Sequence, residues 1–129
     1  MSDLKEKAIA LLASGDVLLQ NGETKTTIYT VPWGKVMVVT HVVIHSPTAS
    51  LAGGTDYDIG SGANADTWRQ TIDLSSLTVA GMDYMVIPSI SAVPVKYTLE
   101  GAGNAFGIKP ITGAVLAAHA TMAVFGYLM

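Results

Sequence analysis

"KVMVVTHVVIH", residues 35–45, decides how the rest of this 129-residue chain is read. It holds five valines, an isoleucine and a threonine, with no glycine or proline, which is the composition of a β-strand. Side chains alternate along a strand, so Val36, Val38, Thr40, Val42 and Ile44 share one face. That face suits a core. The other face carries Met37, Val39, His41, Val43 and His45, and it is too apolar for a solvent face. A second sheet, a helix or another subunit must cover it, and these five residues are interface candidates.

Strand and turn signals continue in both directions. Upstream, residues 17–19 form a short strand, Asn21-Gly22 a turn and residues 26–31 a β-branched strand. "VPWG", residues 31–34, then places Pro second and Gly fourth, as in a type I turn. Downstream, strands are expected at residues 57–60, 68–74, 84–87, 95–99, 106–109 and 117–127, with Gly, Pro, Asn and Ser between them. Short strands without intervening helices indicate an all-β fold, a jelly-roll-like antiparallel β-sandwich. The ending "AVFGYLM" has no polar tail, so the C-terminus is expected inside a sheet or an interface.

The first 15 residues read differently. Asp3 can cap a helix, with Glu6 at capping-box spacing, and Gly15 can end it. Leu4, Ala8, Leu11 and Leu12 then lie on one helical face. The expectation is a short helix or arm over residues 1–15 and a single β-sandwich domain over 16–129. A helix of that length is marginal alone. It must dock on its own domain or grip a neighbouring subunit, which makes these four residues interface candidates as well.

Composition narrows the function. Charged residues make up 13% of the chain, against about a quarter in ordinary soluble domains. Mean hydropathy is +0.43. Seven charges (Asp3, Lys5, Glu6, Lys7, Asp16, Glu23, Lys25) fall within the first 25 positions. The rest of the surface must be Thr, Ser, Gly, Asn and exposed apolar groups, a balance that favours a subunit covered by copies or by another protein. The net charge of −3 argues against a nucleic-acid binder. The apolar stretch 113–129 falls short of a bilayer span and holds His119 and Gly126, so a buried strand is expected and not a membrane helix.

Chemistry-bearing patterns are sparse. With no cysteine, thiolate metal sites, disulfides and cysteine nucleophiles are excluded. His41 and His45 stand about 13 Å apart along a strand, too far to share a metal. His119 sits in an apolar strand and reads as a satisfied core or interface group. "GAGNAFG", residues 101–107, is followed by a strand and turn pattern instead of the helix that a dinucleotide loop requires. "DYDIGSGANAD", residues 56–66, offers Asp56, Asp58, Asn64 and Asp66 as a loose calcium cage, but Gly60 and Thr67 stand where an EF-hand loop needs ligands. Turn chemistry explains the same residues. No nucleophile has an evident base, and neither an enzyme nor a cofactor is expected.

"TIYTVPWGKVMVVTHVVIHSPTASLAGGTDYDIGSG", together with the closing "ATMAVFGYLM", resembles small jelly-roll structural proteins of tailed bacteriophages and prophages, of the head decoration or cement type. The resemblance covers roughly residues 28–129. It rests on Thr30-Val31-Pro32, Gly34-Lys35, the long apolar strand and Val124-Phe125-Gly126-Tyr127. It implies a non-enzymatic virion protein on the capsid surface, made in the host cytoplasm. Such a protein would form a homo-oligomer, a trimer, and lock capsomers by binding the major capsid protein. The N-terminal segment is then the expected contact with the shell. The alternative is a glycan- or receptor-binding β-sandwich module, with Trp33, Tyr57, Trp68 and Tyr84 as the aromatics of a groove. A cupin-like metal enzyme is a third class, disfavoured by the missing ligand set.

Overall fold

The computed structural model describes residues 9–89 and 99–129. Among these residues no α-helix forms; nine strands make two antiparallel sheets. The strands are β1 (Ala10–Leu18), β2 (Thr26–Thr30), β3 (Met37–His45), β4 (Asp56–Gly60), β5 (Arg69–Ile72), β6 (Tyr84–Pro88), β7 (Leu99–Glu100), β8 (Ala105–Thr112) and β9 (His119–Leu128). The first sheet runs β1-β9-β3-β6, with β7 paired to β3, and the second runs β2-β8-β4-β5. The pairs β1–β9, β2–β8, β3–β6 and β4–β5 nest inside one another, as when one long hairpin is rolled into a sandwich. That is jelly-roll topology.

The core lies between the sheets. Val17, Met37, Val39, Val42, Ile44, Met122 and Val124 of the first sheet meet Tyr57, Ile59, Ile72, Phe106 and Ile108 of the second. Burying each large apolar side chain contributes about 1.5–3 kcal/mol. Two aromatic polar groups that enter the core are paired. The Trp68 indole N–H donates to the Val39 carbonyl at 3.1 Å, crossing from one sheet to the other. The Tyr57 hydroxyl donates to the Leu19 carbonyl at 2.7 Å and accepts from the Ala114 amide at 3.0 Å.

Three expectations from the sequence change. First, the segment expected to end a helix is β1. It pairs with β9 from Ala10 to Leu18, so residues 10–15 belong to the sandwich. Leu4, Ala8 and the rest of residues 1–8 lie outside the described residues, as do positions 95–98 of the strand expected at 95–99. Second, the turn before β3 is shifted by one residue. Lys35 N–H donates to the Pro32 carbonyl at 3.2 Å and Gly34 takes φ +78°. Gly34 therefore sits third in a type II turn, where positive φ is required.

Third, β3 does not keep one set of side chains inside. Its register against β9 jumps between Val39 and His41, leaving Thr40 as a β-bulge. Met37 and Val39 point inward before the bulge, and Val42 and Ile44 point inward after it. Met37 and Val39, expected at an interface, are core residues with no exposed surface. A matching bulge lies across β9, where the register against β1 jumps between Leu11 and Ala13. There Leu12 packs on the core while Leu11 turns outward.

Candidate interaction face

The outer face of the first sheet follows from these registers. Its residues line up in rows, three that cross β1, β9, β3 and β6 and a fourth that crosses β9, β3 and β7. One row is Asp16, Thr121, His45 and Tyr84. The next is Ser14, Ala123, Val43 and Val86. Past the bulges comes Leu11, Phe125, His41 and Pro88, and beyond it Tyr127, Val38 and Leu99. The first row is polar and the other three are largely apolar. If the histidines are neutral, Asp16 is the sole formal charge in these rows.

Much of this apolar surface is open. Leu11 is 55% exposed, Tyr84 69%, Val86 53% and Leu99 55%. The His41 imidazole stacks flat on Phe125, and its Nδ1 lies 3.0 Å from the Thr40 hydroxyl. His45 Nδ1 meets the Ser46 hydroxyl at 2.8 Å. His119, at the end of β9, pairs with the Asp16 carboxylate at 2.7 Å. Of the residues singled out as interface candidates, Leu11, His41, Val43 and His45 therefore share this face, whereas Leu12, Met37 and Val39 are packed inward.

The second sheet presents a different surface. Asp58 and Lys109 stand opposite each other on β4 and β8, and Thr27 of β2 and Gln70 of β5 are exposed. Such a face suits water. The outer faces of the two sheets thus differ in chemistry.

The calcium candidates are divided among other tasks. Asp58 Oδ1 accepts from the Thr71 amide at 3.1 Å, at the irregularity within β5 where Thr71 has φ +56°. Asn64 Oδ1 accepts from Lys109 Nζ at 3.3 Å. The Asp66 carbonyl, not its carboxylate, accepts from Gln70. One Asp56 oxygen is shielded from solvent without a hydrogen-bond partner. Among the described residues, however, no three His, Cys, Asp or Glu side chains come together as metal ligands would.

The aromatics proposed for a glycan groove are likewise separated. Tyr57 and Trp68 are buried in the core and take no part in a surface groove. Trp33 is 89% exposed in the turn before β3, while Tyr84 pairs with His45 at the far end of that strand. Eight residues of strand separate the two ends, about 26 Å. No single groove can use both.

One cluster escaped the sequence. Glu100 is 1% exposed, and its carboxylate accepts from Ser61 Oγ at 2.7 Å, Thr67 Oγ1 at 2.5 Å and Asn104 Nδ2 at 3.0 Å. Beside it, Lys25 Nζ donates to the carbonyls of Gly62 and Ala105. Burial holds the Lys25 ammonium below the usual lysine range, and the Glu100 charge partly offsets this. The two glycine-rich turns of residues 56–66 and 101–107 thus meet around one buried carboxylate that ties them together. Every oxygen of that carboxylate is engaged, which is the state of a structural tie.

No family model matches the chain, and no curated protein matches it. Among solved structures, a chain of the "Cyanophage Pam1 capsid asymmetric unit" is similar in fold, with a TM-score of 0.57 and 14% sequence identity. The match covers 95% of this chain and 86% of that one, so nearly the whole sandwich superposes on a protein of similar length.

Proposed function

We propose that this chain is a non-enzymatic structural protein of a phage virion, of the capsid decoration or cement type. It would form an oligomer, a trimer, on the capsid surface and hold neighbouring capsomers through the major capsid protein. The observation that carries this reading is the apolar outer face of the first sheet, set against the polar outer face of the second. A face of that chemistry suits permanent contact between subunits. The similarity over almost the full length to a chain of a phage capsid structure supports the setting.

The test is composition and binding. Purified virions of the phage or prophage that encodes the chain should contain it, and the isolated protein should co-sediment with shells of that phage's major capsid protein. A protein absent from virions and left in the supernatant by shells would refute the reading.

A further inference from the structure

We propose that the outer face of the β1-β9-β3-β6 sheet is covered by the same face of a second copy of this chain, the copies being related by an axis that runs along the strands. The proposal rests on the structural-protein reading for its biological setting. Its own support is chemical and geometric.

Composition argues for a copy of the chain over a separately folded partner. Interfaces between independently soluble proteins are about as apolar as ordinary surface, while homo-oligomer interfaces are more apolar. Below its first row, this face carries no formal charge. A chain leaving the ribosome with such a face in water risks aggregation. Another copy is the complement present from the moment of synthesis.

The area is sufficient. β1, β9 and β3 run nine or ten residues and β6 five, so at about 3.3 Å per residue and 4.8 Å per strand the face covers roughly 520 Å² on each copy. Two copies then bury about 1,040 Å², at the ~1,000 Å² that a specific interface requires. The width also admits three copies. A three-sided prism with sides of about 19 Å places each sheet about 5.5 Å from the axis, close to half the ~10 Å spacing of packed sheets. One layer of side chains from each copy would fill it.

The rows fix the direction of the axis. With the axis along the strands, each row meets its own equivalent, and β1 of one copy approaches β6 of the next. Asp16 then faces His45 and Tyr84 of the neighbour, and apolar rows meet apolar rows. With the axis across the strands, β1 would face β1 with its ends exchanged, and Asp16 would lie over the Ile9–Ala10 end of the neighbour. That would set a carboxylate against apolar groups, which is unfavourable.

The absence of cysteine gives a direct test. Ser14 and Val86 occupy the same row at opposite edges of the face, three strand spacings apart, about 14 Å. A disulfide between them within one chain is impossible, since bridged Cα atoms lie within about 7 Å. The Ser14→Cys/Val86→Cys double variant should therefore form covalent oligomers on mild oxidation. A Ser14→Cys/Leu99→Cys pair, in different rows, should stay uncrosslinked. Crosslinking of the second pair and not the first would overturn the axis direction.

Solution mass gives the second test. The wild-type chain should be an oligomer, and Val43→Asp or Val86→Lys should each yield a monomer with an unchanged β-sheet circular dichroism spectrum. Thr27→Glu, on the other sheet, should leave the mass unchanged. A wild-type monomer, or folded face variants that keep the wild-type mass, would overturn the proposal. A monomer that still binds shells would refute this interface alone, whereas an oligomer that ignores shells would refute the capsid reading alone.

Discussion

His41 on β3 lies against Phe125 on β9, with ring centroids 4.7 Å apart and ring planes within 5°. The two residues are register partners immediately past the Thr40 bulge. If Thr40 were paired in the ladder instead of bulged, the alternation of β3 would run unbroken, and His41 would fall on the same face as Met37 and Val39. The stack therefore marks the point at which β3 exchanges its inner and outer residues.

Deleting Thr40 tests this directly. The deletion makes Val39 and His41 consecutive opposite the consecutive Gly126 and Phe125, so the alternation becomes regular and Met37, Val39, Val42 and Ile44 all stay inward. Urea denaturation should show a folded variant that has lost less than the about 3–6 kcal/mol that expelling two large side chains would cost. An unfolded variant would mean that Thr40 is not simply the extra residue of the ladder.

Glu100 is the second point of sensitivity. Glu100→Ala leaves Ser61, Thr67 and Asn104 without their acceptor in a closed environment, at a cost of about 1–3 kcal/mol for unsatisfied buried groups, more if several stay unpaired. Glu100→Gln keeps an acceptor and the shape, so it should cost less. It also removes the charge that partly counters the burial of Lys25, so the Lys25 ammonium should titrate still lower. Chemical denaturation of both variants, with NMR titration of Lys25, checks the order and the direction.

Gly126 tolerates no side chain. A Cβ there would run into the backbone carbonyl of Val38 on the adjacent strand, and backbone cannot rotate away. Gly126→Ala should destabilise the fold by about 1–3 kcal/mol or more through overpacking. The thermal midpoint should fall accordingly, whereas Gly101→Ala, where the added methyl meets open space, should change it little.

Tyr57 supplies a pH signature. Burial raises its hydroxyl pKa above 10.0, with the Ala114 amide pulling in the opposite direction. A raised folded-state pKa means that its contribution is complete below pH 10.0 and is lost as pH rises through the folded value. Stability should therefore decline more steeply above pH 10 in the wild type than in Tyr57→Phe. The variant should also be less stable at neutral pH, since the amide of Ala114 and the carbonyl of Leu19 lose a partner. Equal alkaline slopes would remove Tyr57 as the source.

Most of the fold was legible before any coordinates. Strand placement, the all-β class and the connecting turns follow from β-branched runs broken by Gly, Pro and Asn, and each such signal is local. β1 was misread for a physical reason. Its bulge inserts one residue between outward Leu11 and the following inward positions, so a period of two is interrupted and Leu11-Leu12 imitates a helical face. The partner that makes it a strand, β9, lies about a hundred residues away, beyond any local pattern.

The candidate site divides along the same line. His41, Val43 and His45 were recognised as needing cover, because the apolar excess of residues 35–45 is present in the composition itself. Met37 and Val39 were placed with them, because nothing in residues 35–45 announces that Thr40 is unpaired. Glu100 was missed because its partners Ser61 and Thr67 lie 39 and 33 positions away in the chain.

The sequence by itself determined that this chain forms strands and that it carries more apolar surface than one core can hide. Both are properties of residue type and two-residue spacing. Tertiary structure alone decided which side chains form the core and which form the open face. That choice depends on register, and a register is set by the partner strand, where one extra residue exchanges inside for outside.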